Sequence, residues 1–424
     1  MACLHAIMDR GHHVTIDIEK MVSLIKDTSM SPKCCIFKTP IILRRLNVKA
    51  YVPDAFSIGP FHHGDGPKLK ATENIKIKYL QGLLSRSHSP KERLRNLVNS
   101  VMDVEKEARE CYAGPIDYET NDFVKILVID GCFIIELLRK SAYATLREKD
   151  DPIFTMSCML EFLYHDLILL ENQVPWMVLE LLFNMTIGPE HRHPLCELAQ
   201  KFFINIFSLE PLHIDSPNYI EDIKHIPDLI RKWMISLIEE GEESSESFSW
   251  KHIPSATSLA EAGIKFKPGK SKSILGIKFD KGVLEIPPLL IKETTETTIR
   301  NLISFEQCYP NCDARFTSYA ILIDSLINNA QDAELLGKNK MVYNWLSPED
   351  TANFFNKLYY DAFVKKYYYG KLSGNLNSYC KQSWPKWRAV LVRNYFATPW
   401  AILSTMAAVI LLILSFLQTW YTIT

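Results

Sequence analysis

From Trp400 to Trp420 the chain reads WAILSTMAAVILLILSFLQTW, without a single charged residue. A helix of about 20 such residues matches the roughly 30 Å hydrocarbon core of a bilayer. Core helices of soluble domains rarely run that far uncharged. Trp400 and Trp420 close the two ends of the run, with Tyr421 beside the second, where an aromatic belt places such side chains. Lys381, Lys386, Arg388 and Arg393 precede the span and nothing basic follows it. The positive-inside rule therefore sets the long N-terminal part in the cytosol, with Arg388 and Arg393 as interface anchors. Met1 to Arg10 breaks into charge too early for a secretory signal, and a GPI anchor would need one. The expectation is a tail-anchored, single-pass membrane protein. Residues 399–420 cross the bilayer, 421–424 form a short tail, and the lipid bilayer is the first partner.

The remaining chain has the composition of a folded body. Of 424 residues 47% are hydrophobic, and 48 Lys+Arg balance 49 Asp+Glu. That balance argues against a nucleic-acid binder working through bulk charge. Sixteen glycines leave little material for phosphate loops, and no Walker loop, GxGxxG, HExxH, Gly-x-Ser-x-Gly or kinase signature is present. The ten cysteines have no repeated spacing and read as reduced thiols. Cys308 with Cys312 lacks the second pair that a zinc site needs. No metal, cofactor or small-molecule substrate is implied.

Periodicity predicts a mainly α-helical body over 34–398, behind a weakly ordered lead-in at 1–33. Helices are expected over 69–84, 91–112, 123–139 (with Asp122 as N-cap), 156–172 and from Pro175 to Phe183. Helix resumes near Thr295, with another apolar face from Tyr319 to Ala330. Between them, alternation at 263–267, 276–279 and 283–286, around an Asp280-Lys-Gly282 turn, predicts a small antiparallel β element with a hairpin. Residues 239–249, EEGEESSESFS, read as an acidic surface loop. Its Ser244, Ser245 and Ser247 are candidate phosphorylation sites, where added charge would change docking.

Two groups of residues have chemical potential. His62, His63 and Asp65 lie in the Pro- and Gly-rich stretch PFHHGDG. Adjacent histidines on an extended segment point to opposite sides, which disfavours a shared metal and favours a loop packed on the body. Asp130, Asp166 and Glu171 interrupt apolar stretches, so each needs a specific partner. Glu136, Arg139 and Arg300 are available, and Asn172 and Gln173 would tie helix ends to neighbouring backbone. The expectation is a buried polar network of Asp130, Asp166, Glu171 and Asn172. The competing reading is a membrane-tethered enzyme built on His62, His63 and the buried carboxylates.

Several of these runs together resemble a plant family of unknown function, domain of unknown function 247. They are Ser57-Ile-Gly-Pro-Phe-His-His-Gly64, Lys78-Tyr79-Leu80, Val128-Ile-Asp-Gly-Cys-Phe-Ile-Ile-Glu-Leu-Leu138 and Asp166-Leu-Ile-Leu-Leu-Glu-Asn-Gln-Val-Pro-Trp176. Further on come Ile253-Pro-Ser-Ala-Thr257, Glu261-Ala-Gly-Ile-Lys-Phe266, Gly282-Val-Leu-Glu-Ile-Pro-Pro288, Arg300-Asn-Leu-Ile-Ser-Phe-Glu-Gln-Cys308 and Tyr395-Phe396 with Pro399-Trp400. The chain departs from the family's pattern at Ala71-Thr-Glu73 and in lacking a tryptophan-bearing start. The resemblance implies a mostly helical plant protein with a C-terminal membrane helix and no established enzyme activity. Some grass members are linked to self-incompatibility, which implies partner recognition in that branch. The expected function is non-enzymatic interaction with an unknown protein partner, through the 60–66 and 239–249 loops.

Overall fold

The first half of the body is built from α1 (Pro67–Ser85), α2 (Pro90–Asp103), α3 (Glu105–Glu110), α4 (Thr120–Ala142), α5 (Ser157–Ile168), α6 (Trp176–Met185) and α7 (Leu195–Phe202). The computed structural model describes residues 14–22, 30–188, 193–207, 220–238, 251–381 and 399–423. Helix α4 lies at the centre because its sequence leaves no solvent face: every residue from Asp130 to Lys140 is buried. Helices α1, α2, α6 and α7 surround it. The fold is mainly α, as its periodicity predicts.

The second half comprises α8 (Ile226–Ser236), α9 (Ala256–Glu261), α10 (Thr295–Cys308), α11 (Arg315–Leu326), α12 (Ala330–Lys338), α13 (Pro348–Phe355) and α14 (Gly370–Cys380). Helix α10 is its hub and packs on α5, α8, α11 and the helical turn Val48–Tyr51. A contiguous hydrophobic core runs through both halves, from Tyr79 and Phe133 to Tyr319 and Leu376.

Strands β1 (Lys265–Pro268), β2 (Lys278–Asp280) and β3 (Val283–Ile286) form the expected β element. The β2–β3 pair is an antiparallel hairpin, closed by Lys281 and Gly282, both with positive φ (45° and 79°). Strand β1 joins β3 in parallel, with Phe266 opposite Leu284. Side-chain alternation is the same in either direction, so the pattern alone does not fix this orientation. A second pairing, β4 (Leu289–Leu290) with β5 (Val342–Tyr343), is also parallel.

Local differences from expectation have tertiary causes. The helix expected over 91–112 breaks at Val104, where no proline or glycine stands. Beyond the break Arg109 lies 4.4 Å over the Phe123 ring and donates to the carbonyls of Ile116 and Tyr118 at 2.9 and 3.1 Å. Docking of this arginine sets the axis of α3. Asp122 is not the N-cap of α4, which begins two residues earlier. It sits in the first turn, where its charge meets the positive end of the helix. Helix α5 stops at Ile168, releasing Leu169 to Gln173 to turn back into the core. The apolar stretch from Tyr319 is interrupted before Ala330 because Asn329 caps α12, accepting from the amides of Gln331 and Asp332.

Helix α15 (Pro399–Ile423) is the exception to this packing. Its apolar window, Ile402–Thr422, is 0% buried within the protein.

Candidate functional site

Residues 53–60, PDAFSIGP, belong to a Pro- and Gly-rich stretch, 51–66, that reads as an ordered loop, and Phe56 to Pro60 are buried. A buried irregular segment exposes no backbone group to water, so each amide and carbonyl needs a partner from the protein. Asp166, at the end of α5, accepts from the amides of Asp54, Ala55 and Phe56 at 2.7, 2.9 and 2.7 Å. Asn172 accepts from the Ile58 amide at 2.6 Å and donates to the Phe56 carbonyl at 2.9 Å. Asp130, midway along α4, accepts from the Gly59 amide at 2.8 Å. From α1, Thr72 donates to the Ala55 carbonyl at 2.6 Å and Lys76 to the Ser57 carbonyl at 2.6 Å. Five side chains from α1, α4 and the α5 end thus hold one strap of main chain inside the fold.

Gly59 shows how closely the strap is held. Its φ is +72°, and a Cβ there would lie 2.2 Å from the Gln173 carbonyl oxygen. That carbonyl accepts from the Tyr112 hydroxyl at 2.9 Å. Gln173 donates to the carbonyls of Leu167 and Leu169, both at 2.7 Å, and accepts from Ile226 at 3.2 Å.

The charges within this network are compensated. Lys76 is fully buried and pairs with Asp130 at 2.6 Å and with Glu73 at 2.6 Å. Burial alone would lower the ammonium's pKa, but the charges of Asp130 and Glu73 outweigh it and the pKa is raised. Burial pushes the Asp130 carboxyl up against the opposing pull of Lys76 and the Gly59 amide. Neither Glu136, Arg139 nor Arg300, the partners expected from sequence, takes these roles. Glu136 pairs with Arg86, Arg139 donates to Thr186 Oγ1 at 3.0 Å, and Arg300 donates to Glu296 at 2.7 Å.

Glu171 serves a second crossing point. It accepts from the Thr39 amide at 2.8 Å, pairs with Arg44 at 3.2 Å, and lies 3.6 Å from His62 Nε2. His62 is 7% exposed and meets Asp65 through Nδ1 at 3.0 Å. His63 packs edge-on against Tyr118, whose hydroxyl donates to the His63 carbonyl at 2.7 Å. Beyond them Gly64, Asp65 and Gly66 are exposed. Among the described residues, no hydrogen bond or ion pair joins Asp130 or Asp166 to His62, His63 or Glu171. Asp130 divides its carboxylate between Lys76 and the Gly59 amide, and Asp166 holds the three strap amides and also meets His165 Nδ1 at 2.9 Å.

The same construction recurs around α10. Asn301 accepts from the Leu170 amide at 2.9 Å and donates to the Ala50 carbonyl at 2.7 Å. Glu306 accepts from the amides of Phe316 and Thr317, both at 2.9 Å, and from Arg231 at 3.3 Å. Burial pushes its carboxyl up against those contacts. His225 donates from Nε2 to the Cys35 carbonyl at 3.0 Å and accepts the Asp228 amide on Nδ1 at 3.3 Å. Burial lowers its pKa to about 4, so the neutral ring is the folded form.

Sequence reasoning did not single out Lys76, Thr72, Glu306 or His225. A signal for Lys76 was present: Thr72, Lys76, Tyr79, Leu80 and Leu83 fall on one stripe of α1 and all are buried. A lysine on the core stripe of a helix demands a buried carboxylate elsewhere. Trp400 and Trp420 are 79% and 59% exposed at the two ends of α15. Ser244, Ser245, Ser247, Arg388 and Arg393 lie outside the described residues.

The model of a plant protein family of unknown function, domain of unknown function 247, matches residues 36–414. This chain belongs to that family. A UPF0481 protein of Arabidopsis thaliana is 29% identical over 93% of this chain and 87% of its own length. A putative UPF0481 protein of the same plant is 24% identical over 90% of this chain and 89% of its own. No solved structure matches the chain. Asp130, Asp166, Asn172 and Gly59, which close the buried strap, all lie within the matched residues.

Proposed function

We propose that this family member is a single-pass membrane protein whose helical body, on the cytosolic side, acts by recognising a protein partner and not by catalysis. The observation that carries the anchoring is α15: 25 residues, no charge, and no cover from the body. An apolar surface of that length is unfavourable in water, and a bilayer removes it. The basic residues on the body side of the helix, Lys381, Lys386, Arg388 and Arg393, support the cytosolic orientation.

The recognition half of the reading rests on how the polar residues are used. Asp130, Asp166 and Asn172 each hold backbone of the 54–59 strap, and among the described residues neither carboxylate is joined to His62, His63 or Glu171, which weighs against an acid–base site built from them. Exposed Gly64, Asp65 and Gly66 then form a presented tip on a rigid base, with the acidic 239–249 segment as a second docking element.

Alkaline extraction of membranes from cells expressing the full chain tests the anchoring. The wild-type chain should stay in the pellet until detergent is added. A Leu411→Arg, Leu414→Arg variant should move to the supernatant, since each central arginine opposes insertion by about 3 kcal/mol. Release of the wild-type chain at alkaline pH would refute it. Turnover of a substrate by the purified chain, abolished by His62→Gln, would overturn the non-catalytic half.

A further inference from the structure

Helix α10 carries a second feature on its outer side. The turn Ile41–Arg44 and the residues after it present Ile41, Ile42, Leu46 and Val48 to solvent, with Ile41 85% exposed. Beside them stand Tyr360 and Phe363, the latter 69% exposed. The two segments are neighbours: Arg45 pairs with Asp361 and its guanidinium lies 5.2 Å over the Tyr360 ring.

Both are mounted on α10. Asn47 donates to Glu296 at 2.9 Å, and Arg300 bridges Glu296 and the Lys357 carbonyl, the latter at 2.9 Å. Gln307 holds the Phe363 main chain from both sides, at 2.9 and 2.8 Å. Six large apolar side chains therefore project from a fixed support, which is an exposed patch of the kind that marks an interaction surface.

Charge identifies the occupant. The chain as a whole is balanced, but these two segments are not. Residues 38–52 hold Lys38, Arg44, Arg45 and Lys49 and no carboxylate; residues 357–366 hold Lys357, Lys365 and Lys366 against Asp361 alone, already paired with Arg45. Lys49, Lys357, Lys365 and Lys366 are exposed and have no ion-pair partner among the described residues. Exposed apolar side chains on segments that also carry exposed lysines are the chemistry of an anionic bilayer surface. The position suits it: 17 residues separate Lys381 from Pro399, a reach of at most about 60 Å fully extended, so the anchor keeps the body at the membrane.

We infer that the face formed by residues 41–49 and 357–366 docks the body onto the anionic headgroups of the membrane that α15 enters. The inference rests on the anchoring reading and adds a second, charge-dependent membrane contact to it. The apolar side chains enter the headgroup layer while the lysines meet phosphate and carboxylate groups, which fixes the height and tilt of the body.

The test uses the full chain in lipid nanodiscs with a photo-cross-linking residue at one of two positions, Phe363→p-benzoylphenylalanine or Leu411→p-benzoylphenylalanine. Discs of phosphatidylcholine alone are compared with discs holding phosphatidylserine. The Leu411 probe should form lipid adducts in both. The Phe363 probe should do so in phosphatidylserine discs, and about a hundredfold less in a Lys49→Glu, Lys365→Glu, Lys366→Glu background, at about a factor of five for each of the three lysines. Lipid adducts at 411 with none at 363 would overturn the docking and leave the anchor standing. Equal adducts at 363 in both lipids would overturn the anionic requirement. Loss of adducts at 411 as well would refute the anchor itself. A protein adduct at 363 from microsomes, in place of lipid, would assign the face to a protein partner and overturn the proposal.

Discussion

Asp166→Asn removes one oxygen and one charge from the strap while leaving the shape of the side chain intact. In the wild type Oδ1 accepts from the Asp54 amide and meets His165 Nδ1 at 2.9 Å, and Oδ2 accepts from both Ala55 and Phe56. The amide can present its oxygen to one side only. Its NH2 group then faces either the Asp54 amide or the pair at Ala55 and Phe56, and at least one strap amide loses its acceptor. An orphaned donor costs about 1–3 kcal/mol and each lost charge-assisted bond about 1.5–3 kcal/mol. Relief from desolvating a buried carboxylate offsets part of this. The net is a loss of about 3 kcal/mol, a large fraction of the ordinary 5–15 kcal/mol stability of a folded domain. Urea unfolding of the full chain in nanodiscs, followed by tryptophan fluorescence, reads the loss as a lower midpoint at unchanged slope. Hydrogen exchange reads it locally, as exchange of the 54–56 amides speeded at least as much as that of the most protected amides. A midpoint within about 0.5 kcal/mol of wild type together with unchanged exchange at 54–56 would refute the claim that Asp166 secures the strap.

Gly59→Ala should cost at least about 3 kcal/mol, because the positive φ and the 2.2 Å approach to the Gln173 carbonyl must both be relieved by moving backbone; a thermal scan showing a near-wild-type midpoint would contradict the geometry. Lys76→Met leaves Asp130 buried and unpaired, a loss of about 3–5 kcal/mol. Adding Asp130→Asn should recover part of that, and a double variant weaker than the sum of the singles would deny the pairing. His225, lowered to about 4 in the fold against about 6.5 unfolded, contributes stability above pH 6.5 that is lost as pH falls toward 4. Between pH 7 and 5 the wild type should lose about 2 kcal/mol more than His225→Gln, measured by denaturant titration at each pH; parallel losses would show that the ring titrates freely.

The helices that announce themselves in the sequence do so through apolar periodicity. The α4 run Phe123 to Arg139 is too apolar to lie anywhere but the centre, and Pro175 marks the start of α6. The β2–β3 hairpin was legible from its Asp-Lys-Gly turn. What the sequence does not carry is which distant partner satisfies each buried polar group. Asp130 finds Lys76, 54 residues away, and Asp166 finds amides 110 to 112 residues away, pairings set by how helices pack. The break at Val104 likewise comes from Arg109 docking on Phe123, with no local signal. PDAFSIGP reads as an ordered loop from its proline and glycine, and nothing local tells that its main chain is buried, since loops ordinarily run over the surface. Here the core helices supply the partners that water otherwise would. That is also why His62 and the carboxylates Asp130, Asp166 and Glu171, grouped by residue type in the sequence, divide in space between a strap and a loop base.

Protease protection on sealed microsomes, with the full chain tagged at both ends, tests the central claim most directly. The account predicts that added protease destroys the N-terminal tag and the helical body, while a short fragment holding α15 and the C-terminal tag survives until detergent opens the vesicle. Survival of the body with loss of the C-terminal tag would place it on the opposite side of the membrane. Loss of both tags without detergent would deny that α15 crosses the bilayer at all.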